Sequence, residues 1–236
     1  MVLPVHDVNP VRRFPVVTLS LIVANVISFL TTPAANVCEL NAFLYEWGAI
    51  PLELMRNEPL QVVPTQTCGF GPPSYDKQVA LSVLFSMFLH AGWLHLLGNM
   101  LFLWIFGNNV EDRLGHVRFL LFYAAAGYVA AYAFALSDPT LNAPLIGASG
   151  AVSGVLGAYL VLFPWARVWS LVIIIPLPLP AWLVLGVWFV LQWIYSSGYA
   201  VEAGSVAYLA HIIGFLFGVL MAIPLRGRRP QRRRVQ

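Results

Sequence analysis

The feature that most constrains this chain is its set of long, uncharged apolar runs. A helix needs about 20 mostly apolar residues to cross a bilayer, because in hydrocarbon the backbone must satisfy its own hydrogen bonds. Six segments of the 236-residue sequence meet that requirement. The first is FPVVTLSLIVANVISFL, Phe14 to Leu30, preceded by Arg12 and Arg13. The second lies inside the uncharged run Val79 to Val110, which is too long for one span and breaks at HAGW. Its spanning part starts near Trp93, and residues 79–90 read as an interfacial lead-in. The third runs from about Val117 to Leu136, and the fourth is LIGASGAVSGVLGAYLVLF, residues 145–163.

The run from Val168 to Ser197 is again too long. Pro176, Pro178 and Pro180 alternate in it, and proline removes an amide donor and clashes with the preceding turn, so a regular helix is excluded there. Residues 165–180 therefore read as a partly immersed loop and 181–197 as the fifth span. The sixth runs from about Ala203 to Leu225. The expected fold is all-α: a polytopic six-transmembrane-helix bundle over 14–225 with a long outer first loop, 31–92. A short cytoplasmic segment, 1–13, precedes it and an Arg-rich cytoplasmic tail, 226–236, follows. The composition, 59% hydrophobic and 10% charged, excludes an ordinary soluble domain. The first residues, MVLPVHDVNPVRRFP, are too polar and too rich in proline for a cleavable signal peptide.

Lys and Arg are retained on the cytoplasmic side. With both termini inside, the inner segments hold eleven of the thirteen basic residues: Arg12, Arg13, Arg113, Arg118, Arg167, Arg226, Arg228, Arg229, Arg232, Arg233 and Arg234. Only Arg56 and Lys77 fall outside. The tail RGRRPQRRR has no aromatic residue to stack a base, so it reads as an anchor to anionic lipid rather than a nucleic-acid site.

Orientation assigns each polar side chain a depth. Ser149 lies about one turn in from Leu145, and His211 about 12 Å along the helix from Ala203, at 1.5 Å per residue. His95 and Asn99, spaced i, i+4, share a face in the outer half of span two. Together they outline a pocket opening outward. A lone serine in a small-residue helix is ordinarily a packing residue, and a lone asparagine an interhelical hydrogen-bond partner. Agreement in depth favours a joint role. A metal site fits poorly, since His90 and His95 are five apart and no carboxylate lies near them. No cofactor is expected. Gly150, Gly154 and Gly157 form a small-residue stripe on span four, and Gly214 with Gly218 a GxxxG on span six, so the two backbones can approach closely.

The stretches HAGWLHLLGNMLFLWIFGNNVEDRLG, GASGAVSGVLGAY and AHIIGFLFG, in that order, resemble the rhomboid family of intramembrane serine proteases. The resemblance covers nearly the whole chain. It implies that Ser149, in the GxSG motif, is the nucleophile and His211, in AHxxG, the general base. His95 and Asn99 would stabilise the oxyanion, and the substrate would be a transmembrane segment of another protein. His90 matches the motif without an assigned role, and Glu111 and Arg113 match an ExRxG element of structural character. Two positions depart from the family. The Trp-Arg pair many relatives carry ahead of span two is missing, which leaves the packing of the first loop open. Ser153 stands where some relatives have a tyrosine that packs on the histidine, which leaves open what orients the His211 ring. Spans four to six contain no Asp or Glu, so the expectation is a Ser-His dyad. Cys38 and Cys68 both lie in the first loop, where a disulfide and two free thiols are alternative readings. A non-catalytic binder of membrane helices is the competing function. A transporter would need a polar pathway to the inner face, and the inner halves of spans four and six do not offer one. The sequence does not indicate an oligomeric state.

Overall fold

The computed structural model describes residues 2–61, 63–64, 68–70, 76–197 and 207–227. In chain order the elements are β1 (Val2–Asp7), α1 (Val16–Thr31), α2 (Val37–Trp47), α3 (Pro51–Arg56), β2 (Val63–Pro64), β3 (Gly69–Phe70), α4 (Val79–Ser86) and α5 (Trp93–Phe102). A π-helical turn, Leu103–Gly107, joins α5 to α6 (Asn108–Leu114). Then come α7 (His116–Ser137), α8 (Ser149–Leu162), β4 (Arg167–Val172), β5 (Ile175–Pro180), α9 (Ala181–Ser196) and α10 (Tyr208–Ala222). Among the described residues, α7 and the run Tyr208–Leu225 are long and apolar enough to cross a bilayer; α1, α8 and α9 are shorter apolar helices. Outward faces stay apolar, with Leu94 87% and Leu121 65% exposed, which suits a hydrocarbon surrounding.

The protein is mostly helical, but it is not all-α. Residues 165–180 are not an irregular loop: β4 and β5 form an antiparallel hairpin, and β1 pairs with β4 on the other side to give the order β1-β4-β5. The alternating prolines that forbid a helix are compatible with this strand. In an antiparallel ladder, residues two apart point their N–H groups the same way. The Ala181 amide bonds back to Ala166 O, so the odd positions face β4 and Pro176, Pro178 and Pro180 face the open edge, where no donor is required. The 1–13 segment is likewise built into the fold. Asp7 is buried and accepts hydrogen bonds from Asn109 Nδ2 (2.7 Å) and the Tyr159 hydroxyl (2.8 Å), a polar contact near the C-terminal end of α8 that the apolar reading of that stretch does not anticipate.

At the same end Glu111 of α6 caps α1, which has no capping side chain of its own. It accepts from Val17 N (2.9 Å), Thr18 N (2.7 Å), Thr18 Oγ1 (2.6 Å) and His116 Nδ1 (2.5 Å). A carboxylate there satisfies orphan amides and complements the helix dipole. Arg113 donates to Leu225 O at 2.6 Å, and Gly115 turns the chain into α7 at φ +82°. The ExRxG element is therefore structural in each of its parts.

The first loop is largely structured. Asn36 caps α2 by accepting from Glu39 N (2.9 Å), and Pro51 opens α3. Cys38 and Cys68 form a disulfide. Lys77 is held inside the loop by an ion pair with Glu53 Oε2 (2.7 Å) and by hydrogen bonds donated to Tyr45 O (2.9 Å) and Gly48 O (3.0 Å). Burial lowers the Lys77 pKa, and Glu53 opposes that shift. The ion pair and the disulfide hold the loop together without a Trp-Arg pair.

Candidate active site

Helix α8 begins at Ser149 itself, not at Leu145, and α10 begins at Tyr208, with residues 203–206 outside the described part. Ser149 and His211 thus both lie in the first turns of their helices. Residues 145–148 are instead a turn, pinned by Leu145 N to Ala49 O (2.7 Å) and Gly147 N to Ser86 O (2.8 Å). Gly147 has φ +110°, and a Cβ there would sit 2.6 Å from His95 Nε2, so only glycine fits.

Ser149 Oγ and His211 Nε2 are 2.8 Å apart. The glycine stripes permit this approach. A Cβ on Gly214 would strike Gly150 O, one on Gly218 would strike Gly154 O, and one on Gly157 would strike Phe215 O. Helices α8 and α10 therefore touch main chain to main chain. Ser153 turns away and donates to Ser149 O at 2.6 Å, so it does not pack on the histidine as a tyrosine would. The His211 ring is held by other groups. Trp188 lies across it (centroids 6.3 Å apart, planes at 32°), Tyr208 meets it edge-on at 6.2 Å, and Nδ1 is 2.8 Å from Gln192 Oε1. The motifs do not mark Gln192. The available signal was an amide side chain standing in the otherwise apolar and aromatic stretch AWLVLGVWFVLQWI.

Asn99 Nδ2 donates to His95 O (3.1 Å) and approaches His90 Nε2 (3.1 Å). His90 is 1% exposed and packs edge-on against His95 at 4.9 Å between ring centroids. This gives His90 a place: it anchors the Asn99 amide. His95, Asn99, Ser149 and His211 all line one cleft of about 1160 Å³, with Gln192 on its wall. Among the described residues, no group of three or more His, Cys, Asp or Glu could hold a metal ion.

A family profile described as Rhomboid domain matches residues 77–228. The chain is 36% identical over 146 residues to Rhomboid protein 1, mitochondrial, of Saccharomyces cerevisiae, covering 59% of this chain and 40% of that protein. It is 32% identical over 167 residues to RHOMBOID-like protein 1 of Arabidopsis thaliana, covering 62% and 39% respectively. It is 47% identical over 72 residues to Rhomboid protease GluP of Bacillus subtilis, covering 30% and 14%. The matched part spans two fifths or less of the length of these three relatives.

Proposed function

This chain belongs to the rhomboid family, and from that premise we propose that it is an intramembrane serine endopeptidase cutting transmembrane segments of other membrane proteins. The observation that carries the reading is the 2.8 Å contact between Ser149 Oγ and His211 Nε2 in the lining of a cleft. A serine hydroxyl is a weak nucleophile until a base takes its proton. In the proposed reaction Oγ attacks the scissile carbonyl carbon as Nε2 accepts that proton. The tetrahedral intermediate collapses, His211 returns the proton to the departing amine, and the carbonyl stays esterified to Ser149. Water then attacks the ester by the same route, releasing the second product and restoring the hydroxyl.

Negative charge on the carbonyl oxygen needs donors, each contributing about 3 kcal/mol. Three sources lie beside Ser149: the unpaired amides of the first turn of α8, the His95 ring next to Gly147, and Asn99. The Asn99 amide reaches the oxyanion by giving up one of its bonds to His90 or His95 O. In this reading six helices span the bilayer, both termini are cytoplasmic, and the cleft opens to the outer side, where water can enter. The substrate helix unwinds locally, because a helical peptide bond is closed within its own hydrogen-bond ladder.

The test is cleavage of a single-span substrate by purified protein in liposomes. Ser149→Ala and His211→Ala should each reduce the rate by roughly 10⁴-fold or more while leaving the thermal midpoint in place. Undiminished cutting by Ser149→Ala would refute the mechanism. Binding without cutting by the wild type would favour a helix-binding role.

A further inference from the structure

A neutral histidine carries one proton on two ring nitrogens, and the partner of one nitrogen decides the state of the other. In His211, Nε2 faces the Ser149 hydroxyl and Nδ1 faces the Gln192 carboxamide oxygen, both at 2.8 Å. A carboxamide oxygen only accepts. With Nδ1–H donated to it, Nε2 is left with its lone pair toward Ser149. We propose that Gln192 is a positioning residue that fixes the tautomer and the ring plane of His211. Its consequence for catalysis rests on the protease reading above; the tautomer itself does not.

Three features support the assignment. Gln192 sits in the apolar helix α9, where an unpartnered amide would be costly, and among the described residues its partner is His211 Nδ1. Trp188, one turn earlier on the same helix, lies across the His211 ring and packs on Phe215 of α10 at 5.8 Å, so α9 supplies both a hydrogen bond and a wall. Finally, α8 to α10 contain no carboxylate that could do the same work among the described residues. A neutral amide orients the ring without burying an extra charge, which would carry a desolvation cost. Turning that amide over would protonate Nε2 instead and leave Ser149 without a base, so the tautomer is a direct readout.

Two measurements test this. In micelles, ¹⁵N spectra of histidine-labelled protein, with the His211 signals assigned by difference against His211→Ala, should report the Nδ1–H form in the wild type and a mixture in Gln192→Leu. An Nε2–H form in the wild type would overturn the proposal whether or not the chain cuts anything. In the cleavage assay, Gln192→Leu should lower kcat roughly tenfold to a hundredfold, with KM within about twofold and the thermal midpoint unchanged. Gln192→Glu should place an anion behind the ring and move the rising limb of the rate-against-pH curve up by roughly 1 to 3 units, with the rate recovering above it. A wild type that cuts through Ser149, with a Gln192→Leu variant matching it in rate and pH profile, would sink the proposal and leave the protease reading standing. An inert wild type with the Nδ1–H form locked would do the reverse.

Discussion

At one end of the bundle, Ser149, His211 and Gln192 form a chain of uncharged groups, each bond 2.8 Å long, along the wall of an open cleft. At the other end, Glu111 is closed off: two backbone amides, a threonine hydroxyl and a histidine ring all donate to it, and it is 1% exposed. Both clusters are polar groups inside an apolar shell, and both obey the rule that such groups are paired. They differ in what their protons can do. The donors on Glu111 include helix amides that have no other partner, so this cluster fixes where α1 stands. In the proposed reaction the Ser149 proton passes to His211 Nε2 and on to the departing amine, so the cleft cluster changes partners where the Glu111 cluster does not.

The contrast can be broken first at the closed end. Glu111→Ala would strand two amides and a hydroxyl, and should cost about 3 kcal/mol or more. A thermal melt in detergent would register this, while the rate per folded molecule at low temperature should stay near wild type. A rate that fell with the melting point unchanged would mean the two ends are not separable. The first loop is a gentler test. Replacing Cys38 and Cys68 together by serine should cost about 2–4 kcal/mol, again with the cleft chemistry intact; reducing agent should have no further effect on that variant. The smallest expected stability change, about 1–3 kcal/mol, comes from Gly214→Ala, which forces a Cβ against Gly150 O. Its activity should fall about a hundredfold, since misplacement by about 1 Å is enough for that. Comparing the loss in rate with the shift in melting point would show the site end responding out of proportion to its stability.

How much of this the sequence made legible depends on range. Apolar runs announce helices locally, and the glycine stripes announce close packing, so the approach of α8 to α10 could be read directly. Helix starts could not: Leu145 to Ala148 and Ala207 are apolar enough to continue a helix, and tertiary bonds to Ala49 and Ser86, with Gly147 at positive φ, hold 145–148 as a turn. Gln192 announces polarity without direction, because its partner is 19 residues away on another helix. The β1–β4 pairing joins residues 161 to 170 positions apart, from Asp7 with Val168 to Val2 with Val172, and has no local signature. The prolines of β5 argue against a helix with equal force whether the answer is loop or edge strand. The disulfide stayed open for the same reason, since two cysteines in one loop do not state their distance.

The main-chain contact between α8 and α10 has one further consequence. Side chains at an interface carry rotamers, and rotamers loosen with heat. Where Gly157, Gly214 and Gly218 meet the opposite backbone there are none. The spacing between Ser149 and His211 is therefore set by the hard radii of carbonyl oxygen and α-carbon, as a bearing is set by its race. On warming, the aromatic walls of the cleft, Trp188 and Tyr208 among them, should gain motion while the distance across this glycine seam holds until the bundle itself melts.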